Sequence, residues 1–121
     1  MNDVIQKSKP SVSSHFDGRS PVVSDIYNLI VAAAREFGPV EQDPKKTSIH
    51  LNRRSAFAGI STRRDSLVLT VKATGDIESP RISKREQASA NRWHHEIKIS
   101  HPDEIDSEVL HWLERSYELS G

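Results

Sequence analysis

The sequence predicts an α+β domain: an antiparallel sheet of four to five strands, with an N-terminal and a C-terminal helix packed on one face. Two periodicities carry that expectation. Near the ends, apolar residues recur at helical spacing: Val22, Val23, Ile26, Leu29, Ile30, Ala33 and Phe37 in one segment, and Ile105, Val109, Trp112, Leu113 and Tyr117 in the other. Each set draws one apolar stripe along a helix. Between them, apolar and polar residues alternate, which sends successive side chains to opposite faces of a strand. Turn-forming residues interrupt this middle stretch at intervals too short for crossover helices, so hairpins and an antiparallel sheet follow.

Taken in order, residues 1–19 offer only Val4, Ile5, Val12 and Phe16 as apolar positions. That is too little for a core, so this stretch is expected to be a flexible tail, with residues 20–121 forming the single domain. Ser20 before Pro21 reads as an N-cap followed by a first helical proline, and Gly38-Pro39 stops the helix. EQDPKK, residues 41–46, is rich in turn formers and reads as a loop. Residues 47–53 alternate, Ile49 and Leu51 against Ser48, His50 and Asn52. Residues 56–62 make a second strand, in which Gly59 signals a bulge or a close backbone approach. Leu67, Leu69, Val71 and Ala73 alternate with Val68, Thr70, Lys72 and Thr74 in the clearest strand. Residues 81–87 hold a single aliphatic side chain, Ile82, which suits an edge. Residues 91–100 set Trp93, His95, Ile97 and Ile99 against Arg92, His94, Glu96 and Lys98. Ser100 or His101 is expected to cap the last helix, with Pro102 near its first position and acidic residues in the first turn, where the helix dipole favours them.

A chain of 121 residues is the length of one domain and can bury about two thirds of its unfolded surface. The absence of cysteine removes disulfides and thiolate metal sites. No apolar run reaches the length of a signal peptide or a membrane span, and a cytoplasmic protein with no membrane partner is expected. The formal net charge of +0 conceals a division. Residues 44–101 are basic, whereas Asp103, Glu104, Asp106, Glu108, Glu114 and Glu118 meet only Arg115 in the last segment. Such a division can steer an anion to one face, or can be no more than a solvated sheet opposite a solvated helix.

No phosphate loop, nucleophile elbow, HExxH motif or Ser/His/Asp order is present, and no cofactor is expected. The densest cluster of polar chemistry is KKTSIHLNRRSAFAGI, residues 45–60. His50 shares a strand face with Ser48 and Asn52. If that face lines a pocket, Lys46, His50 and Arg54 can hold a phosphate or carboxylate, because arginine offers a planar fork and lysine a point charge. Arg64, Arg81 and His94 extend this candidate site, His94 joining His50 if their strands are neighbours. His94 and His95 point to opposite faces and cannot chelate one metal, so no metal site is expected, and His95 belongs in the core with one hydrogen-bond partner. A basic sheet face can also track nucleic acid. Against that, Trp93 and Trp112 lie on apolar stripes and leave no aromatic platform for bases.

The helix ending in Phe37-Gly38-Pro39-Val40, the Lys46-Thr47-Ser48-Ile49-His50 strand, Arg54 with Phe57-Ala58-Gly59, and the terminal helix ending in Tyr117 together resemble DUF5655, a bacterial domain of unknown function. The resemblance spans residues 21–119. It implies a compact α+β domain, alone or attached to other bacterial modules, some of them nuclease-like, with no established activity. It singles out Lys46, His50, Arg54 and Phe57. With the charge map, it leads to the expectation of a noncatalytic binding or accessory domain whose basic sheet face (Lys46, His50, Arg54, Arg64, Arg81 and His94) accepts an anionic small molecule or a protein partner. The alternatives are a nucleic-acid-associated module of a nuclease or defence system, and a small enzyme with a histidine general base beside an arginine clamp. A monomer or a weak dimer is expected, the dimer joining the basic sheet of one copy to the acidic helix of another.

Overall fold

In a computed structural model, which describes residues 10–121, six strands make one antiparallel sheet and two α-helices cover one of its faces. Helix α1 is Pro21–Arg35 and α2 is Ser107–Glu118; the strands are β1 Glu41–Pro44, β2 Ile49–Asn52, β3 Ala56–Thr62, β4 Leu67–Ala73, β5 Ile82–Ser89 and β6 Arg92–Ile99. Across the sheet the order is β1-β2-β3-β4-β6-β5.

Two expectations need correction here. The segment EQDP is not a loop but an edge strand paired with β2. Its proline and its turn-forming composition are tolerated because an edge strand leaves one row of backbone groups without a ladder partner. The sheet accordingly has six strands rather than the expected four to five, and they do not pair in simple chain order, since the chain leaves β4, runs to the far edge as β5 and returns as β6 between them. Burial explains the exchange: β5 buries Ile82 alone, whereas β6 gives His95, Ile97 and Ile99 to the core.

The core lies between the sheet and the helices. Ile49, Ile60, Leu69, Ile97 and Ile82 face one another in register across five strands, and Leu51, Ala58, Val71 and His95 form the next row; all are buried. Helix α1 sets Val23, Ile26, Tyr27, Ile30, Val31 and Ala34 against them, and α2 sets Val109, Trp112, Leu113 and Tyr117. Leu29, read from the sequence as part of the stripe, is 44% exposed. Tyr27 takes the inward position instead, and its hydroxyl donates to Gln42 Oε1 of β1 at 2.6 Å.

The expected tail is ordered in its second half. Ser13–Phe16 forms a 3-10 turn, the Phe16 and Tyr27 rings are 5.2 Å apart, and the Thr62 hydroxyl donates to the His15 carbonyl at 2.7 Å. Residues 1–9 of that tail lie outside the described residues. The start of α2 also differs from expectation. Pro102–Glu104 is a separate 3-10 turn in which the Glu104 carboxylate accepts the Ser100 and His101 N–H groups at 2.7 and 2.8 Å. The helix begins after Asp106, whose carboxylate accepts the Val109 N–H. The chain needs this extra corner to turn from the end of β6 onto the core face.

Candidate functional site

With both helices on one side, the other face of the sheet is open. Its central row runs His50, Gly59, Thr70, Glu96 and Lys84 from β2 to β5, and the next row carries Lys72, His94 and Glu86. A groove of about 300 Å³ lies over β2, β3, β4 and β6, lined among others by Ser48, His50, Gly59, Ser61, Thr70, Lys72 and His94. Small residues make its floor. Gly59 contributes no side chain between His50 and Thr70, and a Cβ added there would sit 3.7 Å from Thr70 Cβ, an ordinary contact.

A β-bulge shapes one end of this groove. The register shifts between Leu51 and Asn52, so that residues 56 and 58 of β3 oppose neighbouring residues of β2 and Phe57 is the extra one. A bulge re-aims the side chain it inserts. Phe57 and Ala58 are accordingly both buried, and Phe57 meets the Tyr117 ring edge-on at 5.0 Å. The β3–β4 register ends at Ala58 and Val71, and beyond it the buried Ser116 hydroxyl stands between the strands. It donates to the Phe57 carbonyl at 2.6 Å and accepts the Lys72 N–H at 2.8 Å.

Lys72 is the residue this geometry exposes as distinctive. Its Nζ donates to Ser120 Oγ at 3.1 Å and to Ser55 Oγ at 3.2 Å, both neutral hydroxyls. Among the described residues no carboxylate lies within ion-pair distance of it. Burial first, and the positive charge of Arg92 second, hold its pKa below the usual lysine range. Arg92 lies on the same face of β6 as His94, the residue in register with Lys72; its Nη1 is shut off from solvent with no hydrogen-bond partner among the described residues.

The residues selected from sequence are dispersed. His50 and His94 both line the groove, but their strands are not neighbours: β3 and β4 separate them, a gap of about 14 Å at the usual strand spacing. Lys46 is exposed in the β1–β2 turn and Arg54 in the β2–β3 turn, where its N–H donates to the Ser120 carbonyl. Arg64 is exposed in the β3–β4 turn, and its carbonyl accepts the Ser20 N–H. Arg81 is committed elsewhere: Nη1 meets Asp106 at 2.8 Å and Glu108 at 3.2 Å, and Nη2 donates to the Glu104 carbonyl at 2.7 Å, which pins β5 to the start of α2. Arg53 lies over the Tyr117 ring, 4.5 Å from its centroid.

Nothing in the sequence reading picked out Lys72 or Arg92. The signal that was available is that Lys72 is the single charge in LVLTVKA, a strand that the structure places in the interior of the sheet. His95 is in the core as expected, fully buried and stacked beside Trp93, and its Nε2–H donates to Asp76 Oδ1 at 3.0 Å. Its Nδ1 has no partner among the described residues. Ile77 N lies 3.1 Å from the same Nε2; one ring nitrogen cannot donate and accept at once, and the contact with a carboxylate requires the proton. Among the described residues no group of three or more His, Asp or Glu side chains is placed to hold a metal ion, and no helix is long and apolar enough to cross a membrane.

A family model described as "Domain of unknown function (DUF5655)" matches residues 12–120. No curated protein and no solved structure matches the chain.

Proposed function

The chain belongs to the DUF5655 family, and from that premise we propose that it is a binding or accessory domain, itself noncatalytic, whose open sheet face accepts a small anionic ligand. The observation that carries this reading is Lys72: a half-buried ammonium at the edge of a groove, held by two hydroxyls, beside Arg92 and with no carboxylate to neutralise it. Cations brought together without a counter-ion repel one another, and an anion that enters relieves the repulsion while gaining charge-assisted hydrogen bonds. Ser48, Ser61 and Thr70 add hydroxyls that can donate or accept. The reading includes a bacterial, cytoplasmic setting, with whose reducing conditions a cysteine-free sequence is compatible.

A small ligand is favoured over a nucleic acid by the distribution of charge. The pairs Arg53-Arg54 and Arg63-Arg64 stand in turns at opposite ends of β3, and Lys45, Arg81 and Arg85 are engaged with Asp43, Asp106 and Asp76. A continuous basic track for a phosphate backbone needs these cations unpaired and in line.

The test is a thermal-shift titration with phosphate, mononucleotides, mono- and dicarboxylates and short single-stranded DNA and RNA. A ligand that binds the folded state alone adds about 2.7 kcal/mol at a hundredfold excess over its Kd. The expected result is a saturable shift with a small anion that is lost in Lys72→Met and in Gly59→Val, the second of which fills the groove while retaining every charge. A shift with DNA or RNA that survives Gly59→Val would instead favour the nucleic-acid reading.

A further inference from the structure

If the groove is the ligand site, as proposed above, its lining also specifies the chemistry of the ligand. Lys72 and His94 are directly opposed on β4 and β6, which sets their Cβ atoms about 5 Å apart on the open face. The Lys72 ammonium carries three N–H groups. Ser120 and Ser55 accept two of them, and the third has no partner among the described residues. Both side chains line the groove, together with Ser48, Ser61, Thr70 and, on the β2 side, His50. No acidic side chain and no arginine does so among the described residues. Asp43, Glu86 and Glu96, the carboxylates in register with His50, His94 and Thr70, all lie outside the lining.

This lining separates three classes of anion. A carboxylate is best matched by the planar fork of an arginine, and the groove has none. A lysine point charge beside an imidazole N–H instead suits the tetrahedral oxygens of a phosphate. A nucleotide needs an aromatic face on which its base can stack. The Phe57 ring, which borders the groove, is buried against Tyr117 and offers no such face. Away from Lys72 and His94 the groove presents hydroxyls, each able to donate and accept, around the bare backbone of Gly59. Neutral hydroxyls beside a phosphate site match the hydroxyls of a sugar. We propose that the groove takes a sugar monophosphate, its phosphate between Lys72 and His94 and its sugar lying over Gly59 among the Ser61 and Thr70 hydroxyls.

The experiment is isothermal titration calorimetry of the full chain with ribose 5-phosphate, glucose 6-phosphate, inorganic phosphate, free glucose, gluconate and AMP, with melting curves recorded for the same ligands. A sugar phosphate should bind about tenfold more tightly than inorganic phosphate, a gain that two hydrogen bonds to the sugar supply. The double variant Ser61→Ala/Thr70→Val should remove that advantage and leave inorganic phosphate unchanged. His94→Leu should weaken both ligands about tenfold through the lost charge-assisted hydrogen bond. The fold of each variant is checked by circular dichroism. Gluconate bound as tightly as the sugar phosphates overturns the phosphate assignment. Inorganic phosphate bound as tightly, or AMP bound more tightly, overturns the sugar assignment. In each of these outcomes the anion site stands, provided that the response is lost in Lys72→Met. If none of these anions binds and none shifts the melting curve, the sugar phosphate and the anion site both fall.

Discussion

Ser116 shows how one hydroxyl can hold two strands that have parted. It satisfies the Phe57 carbonyl and the Lys72 N–H where the β3–β4 register stops, and it is fully buried. Ser116→Ala leaves a buried donor and a buried acceptor unmade, each costing about 1–3 kcal/mol. Urea denaturation should therefore find a loss of about 2–6 kcal/mol with an unchanged m-value. Lys72 is expected to behave in the opposite way. A lysine whose folded pKa is depressed by burial and by Arg92 binds its proton less tightly in the folded chain, so it subtracts stability at neutral pH. Lys72→Met should raise the melting temperature at pH 7 and abolish the anion response. A melting temperature below that of the parent protein would show that the two serine hydrogen bonds outweigh the desolvation.

Among elements, the joint between α1 and β1 rests on Tyr27. Burial pushes its phenol up to about 12, against a smaller opposing effect of Arg35, and its hydroxyl donates to Gln42. The folded state thus holds the phenol proton more tightly than the unfolded chain does. The stability this contributes is complete below about pH 10, the unperturbed value, and is lost as pH rises through the folded one. Tyr27→Phe should cost about 1 kcal/mol at pH 7 through the lost hydrogen bond. It should also flatten the decline in melting temperature between pH 10 and 12, where the parent protein titrates. The strand that carries Gln42 was the element hardest to see in the sequence: Glu41–Pro44 has no alternation and contains a proline, and it becomes a strand because β2 offers it an edge.

For the whole molecule, acid is the expected weakness. His95 first, and Arg85 after it, hold the Asp76 carboxyl below the usual carboxylate range, and this cluster joins the β4–β5 connection to β5 and β6. Arg81 does the same for Asp106 across the junction of β5 and α2. A carboxylate with a depressed folded pKa contributes stability that is full above about pH 4 and is lost as pH falls through the folded value. Asp76→Asn should lower the melting temperature at pH 7 and flatten its fall below pH 4; an acid profile unchanged from the parent would show that Asp76 contributes nothing to it. The Arg81 contacts also tie basic sheet to acidic helix within one chain, which occupies part of the charge that a dimer of the expected kind would use.

The sequence by itself determined the two helices, the central strands and the face that each strand buries, because apolar periodicity is a local property and burial rewards it directly. It also determined that His95 would be inside and His94 outside, since adjacent strand residues diverge. Only the tertiary structure decided the strand order, the sixth strand and the site. Lys72, His94, Ser55 and Ser120 come from β4, β6, a turn and the chain's last residues, and nothing in their spacing along the chain brings them together. What does so is the pairing of β4 with β6 past β5, together with a bulge that turns Phe57 inward; both are settled by the packing of the whole core.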